Sequence, residues 1–228
     1  MNWWIIFQLY HWITAANTIP AYYQLTDEAF FAQPASCQLI ALANPDTLLL
    51  DAALFHATNE ARHHAGLQPL QYDLALYLAA SSHAESMIKM KYYSHENLYS
   101  LAELTADRRI RQRTDRFNWT AENIGQYQTI DTPEWFGVRR NARMGRYEYL
   151  DSETKQLYQP YSYADFARYA VRQWLASPHH RANLLNPAYS HVGCAGRLSP
   201  NPYVELHAPF GRLVQNFGAK HGSSQASN

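Results

Sequence analysis

The chain has 228 residues, 47% of them hydrophobic, with 19 Lys and Arg against 19 Asp and Glu. That composition supports a packed core, excludes global disorder, and at this length fits one sizeable domain with at most some decoration. Balanced charge supplies no field to attract nucleic acid or an anionic membrane, so no nucleic-acid partner is expected.

The N-terminal run Trp3-Trp4-Ile5-Ile6-Phe7 is apolar but is followed by Gln8 and His11, with no Lys or Arg before it. It reads as a poor secretory signal and is far too short to span a bilayer, so no transmembrane segment is expected. Residues 1–43 show no sustained period and form an N-terminal extension. A first helix is predicted to open at Asn44-Pro45-Asp46, with Asn44 capping and Pro45 in the first turn. Leu50, Leu54, Ala57 and Ala61 recur at helical spacing, and Gly66 is a fitting stop. A second helix starts near Asp73, with Leu76, Ala79, Ala80, His83, Met87 and Met90 on its inner face. His83, on an apolar stripe, reads as a hydrogen-bonded core histidine.

Glu122 to Tyr127 is a candidate strand. Ser162 caps a third helix that carries Phe166, Ala170 and Trp174 on one face. Ser177-Pro178 opens a further short helix, ended by Asn186-Pro187, and the Ser177 side chain is expected to accept from the backbone of residue 179 or 180. Beyond it the period becomes two: Val192, Cys194, Gly196 and Leu198 alternate as on a half-buried strand. Pro202 to Ala208 and Arg212 to Phe217 read as two more strands. Helices first and a late antiparallel meander argue for an α+β layered domain. A polar tail closes the chain over residues 219–228. Two arginine-rich stretches, Asp107 to Arg116 and Arg139 to Arg146, are read as solvated surface, or alternatively as an anion-facing rim.

Five segments occur in a telling order. They are Asn59-Glu60-Ala61-Arg62, Gly66-Leu67-Gln68-Pro69-Leu70, Tyr93-Ser94-His95, Ala121-Glu122-Asn123-Ile124-Gly125, and Ser177 to Leu185 with its Ser-Pro-His-His-Arg core. Together they resemble the cysteine-rich secretory, antigen 5 and pathogenesis-related (CAP/SCP) domain in its bacterial form, over roughly residues 44–218. The resemblance implies a three-layer α-β-α sandwich around a small, mostly antiparallel sheet. It also implies an open cleft holding two histidines and two acidic residues. His95 matches the first histidine, Glu122 the first acid and His180 the second histidine. Ser177, three residues after Trp174, stands where relatives carry the second acid, so a carboxylate is lost. Asn59 and Arg62 are read as fixing the first helix to its neighbours.

The resemblance favours an exported, extracellular or periplasmic module that binds lipid, cell-wall or protein ligands at His95, Glu122 and His180 without strong catalysis. Two readings compete with it. One is a metal-dependent hydrolase in which His95 and His180 hold the ion and Glu122 activates water. The other is a purely adhesive surface domain. His95 and His180 are the candidate metal ligands, and two imidazoles short of a second charge predict only weak zinc binding. Other enzyme classes find no support. His95-Glu96 lacks the second histidine of a zinc-protease helix, since Tyr99 stands there, and neither a nucleophile elbow nor a glycine-rich phosphate loop occurs. The two cysteines, Cys37 and Cys194, make no disulfide framework. They are expected to be unbridged, and Cys194 to be an inert thiol on a buried strand.

Overall fold

The computed structural model describes residues 19–220, so the apolar run at Trp3 and the tail from His221 onward lie outside the described residues. The helices are α1 (Asp27–Phe31), α2 (Thr47–His64), α3 (Leu74–Lys89), α4 (Ala106–Arg111), α5 (Tyr163–Ala176) and α6 (Pro178–Leu184). The strands are β1 (Gln71–Tyr72), β2 (Trp119–Gln128), β3 (Gly137–Asn141), β4 (Arg146–Leu150), β5 (His191–Leu198) and β6 (Phe210–Ala219). One sheet has the order β1-β5-β6-β2, with β1 and β5 parallel and the other pairs antiparallel. The strands β3 and β4 form a separate hairpin.

Side-chain alternation along β5 explains the layering. Val192 and Cys194 join the large core cluster with Leu50, Leu54 and Trp174 from α2 and α5. Ala195, on the other face, packs with Ala80, Ala84 and Met87 of α3. Period-two side chains therefore feed two apolar layers, giving an α-β-α sandwich. Gly193 permits the tight approach of α3, because a Cβ there would lie 2.0 Å from the Tyr77 backbone nitrogen. Residues before α2 share the large core: Tyr23, Phe30, Ile40 and Leu42 are all buried in it.

Local signals account for the helix ends. Asp73 caps α3 through the amides of Ala75 and Leu76, and Ser162 caps α5 through Asp165. Gly66 follows α2 with φ of +72°, a left-handed position that suits glycine. The helix expected first is α2, and it opens two residues later than expected, with Asp46 rather than Asn44 as its cap, accepting from the Leu49 amide at 3.0 Å. Asp46→Ala should therefore lower stability by about 1 kcal/mol in urea denaturation, whereas Asn44→Ala should leave it within about 0.5 kcal/mol.

Two strand expectations and the reading of one basic stretch need correction. The strand β5 is buried on both faces through Gly196, since helices cover each side, where alternation had suggested one solvated face. Residues 202–208 form no strand, because Asn201 and Tyr203 take left-handed φ values of +54° and +71° that break an extended path. The stretch Arg139 to Arg146 lies across the β3–β4 hairpin, with Gly145 in the turn at φ +64°. Arg139 pairs with Glu148 in that hairpin, and the Arg146 guanidinium sits 5.3 Å from the Tyr203 ring centroid.

Asn59 and Arg62 have the structural role expected of them. Asn59 exchanges two hydrogen bonds with the Leu70 backbone, at 2.8 and 3.0 Å. Buried Arg62 donates to the carbonyls of Gln68, Leu184, Asn186 and Tyr189, tying α2 to the segment after α6. Cys37 is exposed and Cys194 buried, both as free thiols. Burial pushes the Cys194 pKa well up, which keeps the thiol protonated and unreactive.

Candidate functional site

The edge strand β2 presents Glu122 and Asn123 to opposite faces of the sheet, and the candidate site is built around that pair. On the α3 side, Glu122 is buried and both of its carboxylate oxygens are engaged. Its Oε1 takes a hydrogen bond from His95 Nδ1 at 2.9 Å, and its Oε2 one from Arg109 Nη2 at 2.7 Å. Burial alone would raise the Glu122 pKa. The His95 bond and the Arg109 charge outweigh it and hold the carboxyl below its ordinary value. Glu122 is therefore a fixed anion at neutral pH.

His95 itself is about half exposed, at 54% of its side chain. With Nδ1 engaged by Glu122, Nε2 is the ring nitrogen left to meet a ligand. The segment that carries it is anchored from below, where His83 Nε2 donates to the Ser94 carbonyl at 2.9 Å. Arg109 Nη2 also donates to the His95 carbonyl at 3.0 Å. His83 is fully buried, as its apolar stripe predicts.

On the opposite face Asn123 positions the second histidine. Its Nδ2 donates to the His180 carbonyl and to Gln215 Oε1, each at 3.1 Å, while its Oδ1 accepts from Asn183 at 3.0 Å. Gln215 continues inward to Thr58, which bonds the Leu54 carbonyl of α2. A buried polar chain thus runs from α2 across one face of the sheet to α6. His180 is partly buried, and burial first, then the neighbouring His95 charge and His179, lower its pKa. The His95 segment and α6, which carries His180, both adjoin β2, and the lowered pKa leaves the His180 ring neutral at neutral pH. His179 is exposed, as are His63 and His64.

Two expectations about this region change. Ser177 ends α5 and precedes α6, but its side chain makes no capping bond; only its carbonyl does so, accepting from the Arg181 amide. Pro178 at the first position has already removed one of the amides that would need capping. Ser177→Ala should accordingly change stability by less than about 0.5 kcal/mol in thermal or urea denaturation. The basic stretch 107–116 is no free anion rim either. Arg109 pairs with Glu122, Arg111 with Asp107, Arg113 with Glu103 and Arg116 with Asp73. Arg109, fully buried, is the site residue that sequence reasoning missed. Its one hint was a place beside Ile110 on a short helix, in a run otherwise indistinguishable from solvated surface.

The residues present do not fit a resident metal. Among the described residues no three His, Cys, Asp or Glu side chains come together in a way that could hold an ion. Glu122 is consumed by Arg109 and His95, so His95 and His180 would offer two ligands where a catalytic zinc takes three from the protein.

The model of the cysteine-rich secretory protein family matches residues 55–206. Among solved structures, the chain is similar to an extracellular protein containing an SCP domain from Bacillus anthracis str. Ames. That match is 21% identical at a TM-score of 0.49, covering 78% of this chain and 43% of that one. It is similar also to an outer surface protein from Borrelia burgdorferi, 20% identical at a TM-score of 0.45, covering 73% of this chain and 90% of that one. A cysteine-rich secretory protein from Staphylococcus aureus subsp. aureus Mu50 is 16% identical at a TM-score of 0.42, covering 77% and 40%. The matched part spans less than half of the Bacillus and Staphylococcus chains. No curated protein matches the chain.

Proposed function

The chain belongs to the cysteine-rich secretory protein family, and from that premise we propose that it is an exported binding domain whose ligand engages His95 and His180 across the β2 edge, with no catalytic step. The observation that carries this reading is the occupancy of Glu122. A general base must present a free oxygen to the proton it takes, at a pKa near the working pH. Glu122 has one oxygen on Arg109 and the other on His95, and its pKa is held down rather than up. What remains accessible is the exposed His95 ring and the partly buried His180, two imidazoles that can hydrogen-bond a ligand.

The family name supports export, and lipid, cell-wall material and protein are the ligand classes that the resemblance suggests. Among the described residues no helix is long and apolar enough to cross a membrane. Recombinant protein incubated with native membrane and cell-wall fractions should retain bound material that His95→Ala and His180→Ala each reduce at least tenfold. Equal retention by all three proteins would leave the adhesive reading, with binding elsewhere on the surface. The hydrolase reading has its own test: peptide and ester substrates with added zinc should show no turnover above background. Metal-dependent hydrolysis abolished by Glu122→Gln would reverse the proposal.

A further inference from the structure

The face of the sheet that carries Glu122 continues along β2 to Gln126, which stands opposite Arg212 of β6. Four residues of extended strand separate Glu122 from Gln126, roughly 13 Å. Arg212 is only 8% exposed. Its Nε donates to Gln126 Oε1 at 2.9 Å and its Nη1 to the Met87 carbonyl. Nη2 makes no hydrogen bond with the described residues, and none of their carboxylates pairs with this guanidinium. Arg109 pairs with Glu122, and Arg62 gives its donors to four carbonyls. Among the described residues Arg212 has two neutral acceptors and no carboxylate, its Nη2 is open to solvent, and burial of the group lowers its pKa.

Arg212 lines a cavity of about 260 Å³ together with Lys91, Ile88, Tyr203 and Phe210. The guanidinium carbon lies 5.2 Å from the Phe210 ring centroid. Three lining residues other than glycine, Lys91, Asn201 and Tyr203, have left-handed φ of +55°, +54° and +71°. At Lys91 this is the ordinary end of α3, where the Tyr92 amide donates to the Met87 carbonyl at 3.1 Å. At Tyr203 the hairpin holds the bend, since the Tyr147 amide of β4 donates to the Tyr203 carbonyl at 2.7 Å. The only carboxylate lining the cavity, Glu205, pairs with His207 and not with Arg212.

We propose that this cavity is a second ligand site, for a small organic carboxylate with an aromatic or aliphatic body. The carboxylate meets Arg212 Nη2 and Lys91, and the body lies against Phe210 and Tyr203. One open guanidinium nitrogen and one ammonium suit a single negative charge, and the apolar walls give the rest of the molecule its place. The site is independent of the ligand at His95 and His180.

3-Phenylpropionate titrated into the isotope-labelled full chain should shift the amides of Ile88, Asn201 and Phe210 and saturate at millimolar concentration. Its neutral amide, 3-phenylpropionamide, should bind at least tenfold more weakly, and inorganic phosphate should not compete. Arg212→Gln should lose at least tenfold in affinity. Lys91 is exposed, so Lys91→Gln tests the site without endangering the fold and should lose about threefold. The proposal is overturned by a lack of binding, by equal affinity for acid and amide, by competition from phosphate at like concentration, by unchanged affinity in Lys91→Gln, or by shifts centred on His95.

Discussion

Replacing Arg109 with alanine should cost the fold about 3–5 kcal/mol at pH 7.5, read as a fall in the urea midpoint at constant slope. The buried guanidinium answers the Glu122 carboxylate at 2.7 Å and also bonds the carbonyls of His95, Glu103 and Leu104. Without it, a charged carboxylate stays out of water and three carbonyls lose a donor. The loss has a pH signature. With the Arg109 charge gone and only the His95 bond still opposing burial, the Glu122 pKa should rise in the variant, so the penalty is full above that raised pKa and shrinks as Glu122 takes up a proton below it. Removing both charges with Arg109→Met and Glu122→Leu should recover much of the lost stability, since the pair's worth lies mainly in mutual compensation. A cost below about 1 kcal/mol for Arg109→Ala would mean that water reaches Glu122 and that its oxygens are not committed as described.

The same residue marks the limit of what the sequence could disclose. Glu122 and the two histidines are visible because short ordered motifs carry them, two on regular carriers, a strand with register and a helix opened by Pro178, and His95 on a loop. Helix caps such as Asp73 and Ser162 are legible because capping is local chemistry, decided within four residues. Arg109 depends on a partner 13 residues away across a loop, and a basic run reads alike whether its members meet solvent or a buried acid. Ser177 shows the converse: a fitting capping type whose hydroxyl goes unused because the preceding helix sets its geometry. The β3–β4 hairpin also stayed hidden. Most of β3 faces solvent, so it lacks the apolar alternation that announces a half-buried strand. Residues 202–208 failed in the opposite direction, since their alternation is real but left-handed Asn201 and Tyr203 turn the chain into a cavity wall.

Stability should fall by on the order of 3 kcal/mol between pH 6.5 and pH 4 because of His83 alone. Its ring is fully buried in α3, with Nε2 donating to the Ser94 carbonyl and Nδ1 within 3.4 Å of the Tyr92 hydroxyl. That arrangement is made for a neutral imidazole. Burial pushes the His83 pKa from 6.5 down to about 4. The Glu122 charge opposes the shift, while Arg109 and His95 add to it. The folded pKa lies below the unfolded one, so the unfolded chain binds the extra proton first as pH falls. Stability attributable to His83 is whole above pH 6.5, declines through the interval, and falls no further below about 4. Glu122 acts in a different window: its folded pKa is depressed, so its contribution is intact above the ordinary carboxylate pKa and lost only as pH drops through the lowered value. His83→Gln, which cannot charge, should flatten the pH 6.5 to 4 leg of the urea-midpoint profile and leave the more acid leg in place. An unchanged slope in that variant would show that His83 titrates in the fold as it does in the unfolded chain, and that its burial does not keep the ring neutral. The Nε2–H bond to the Ser94 carbonyl, and with it the anchor of the segment that presents His95, is available to either ring form.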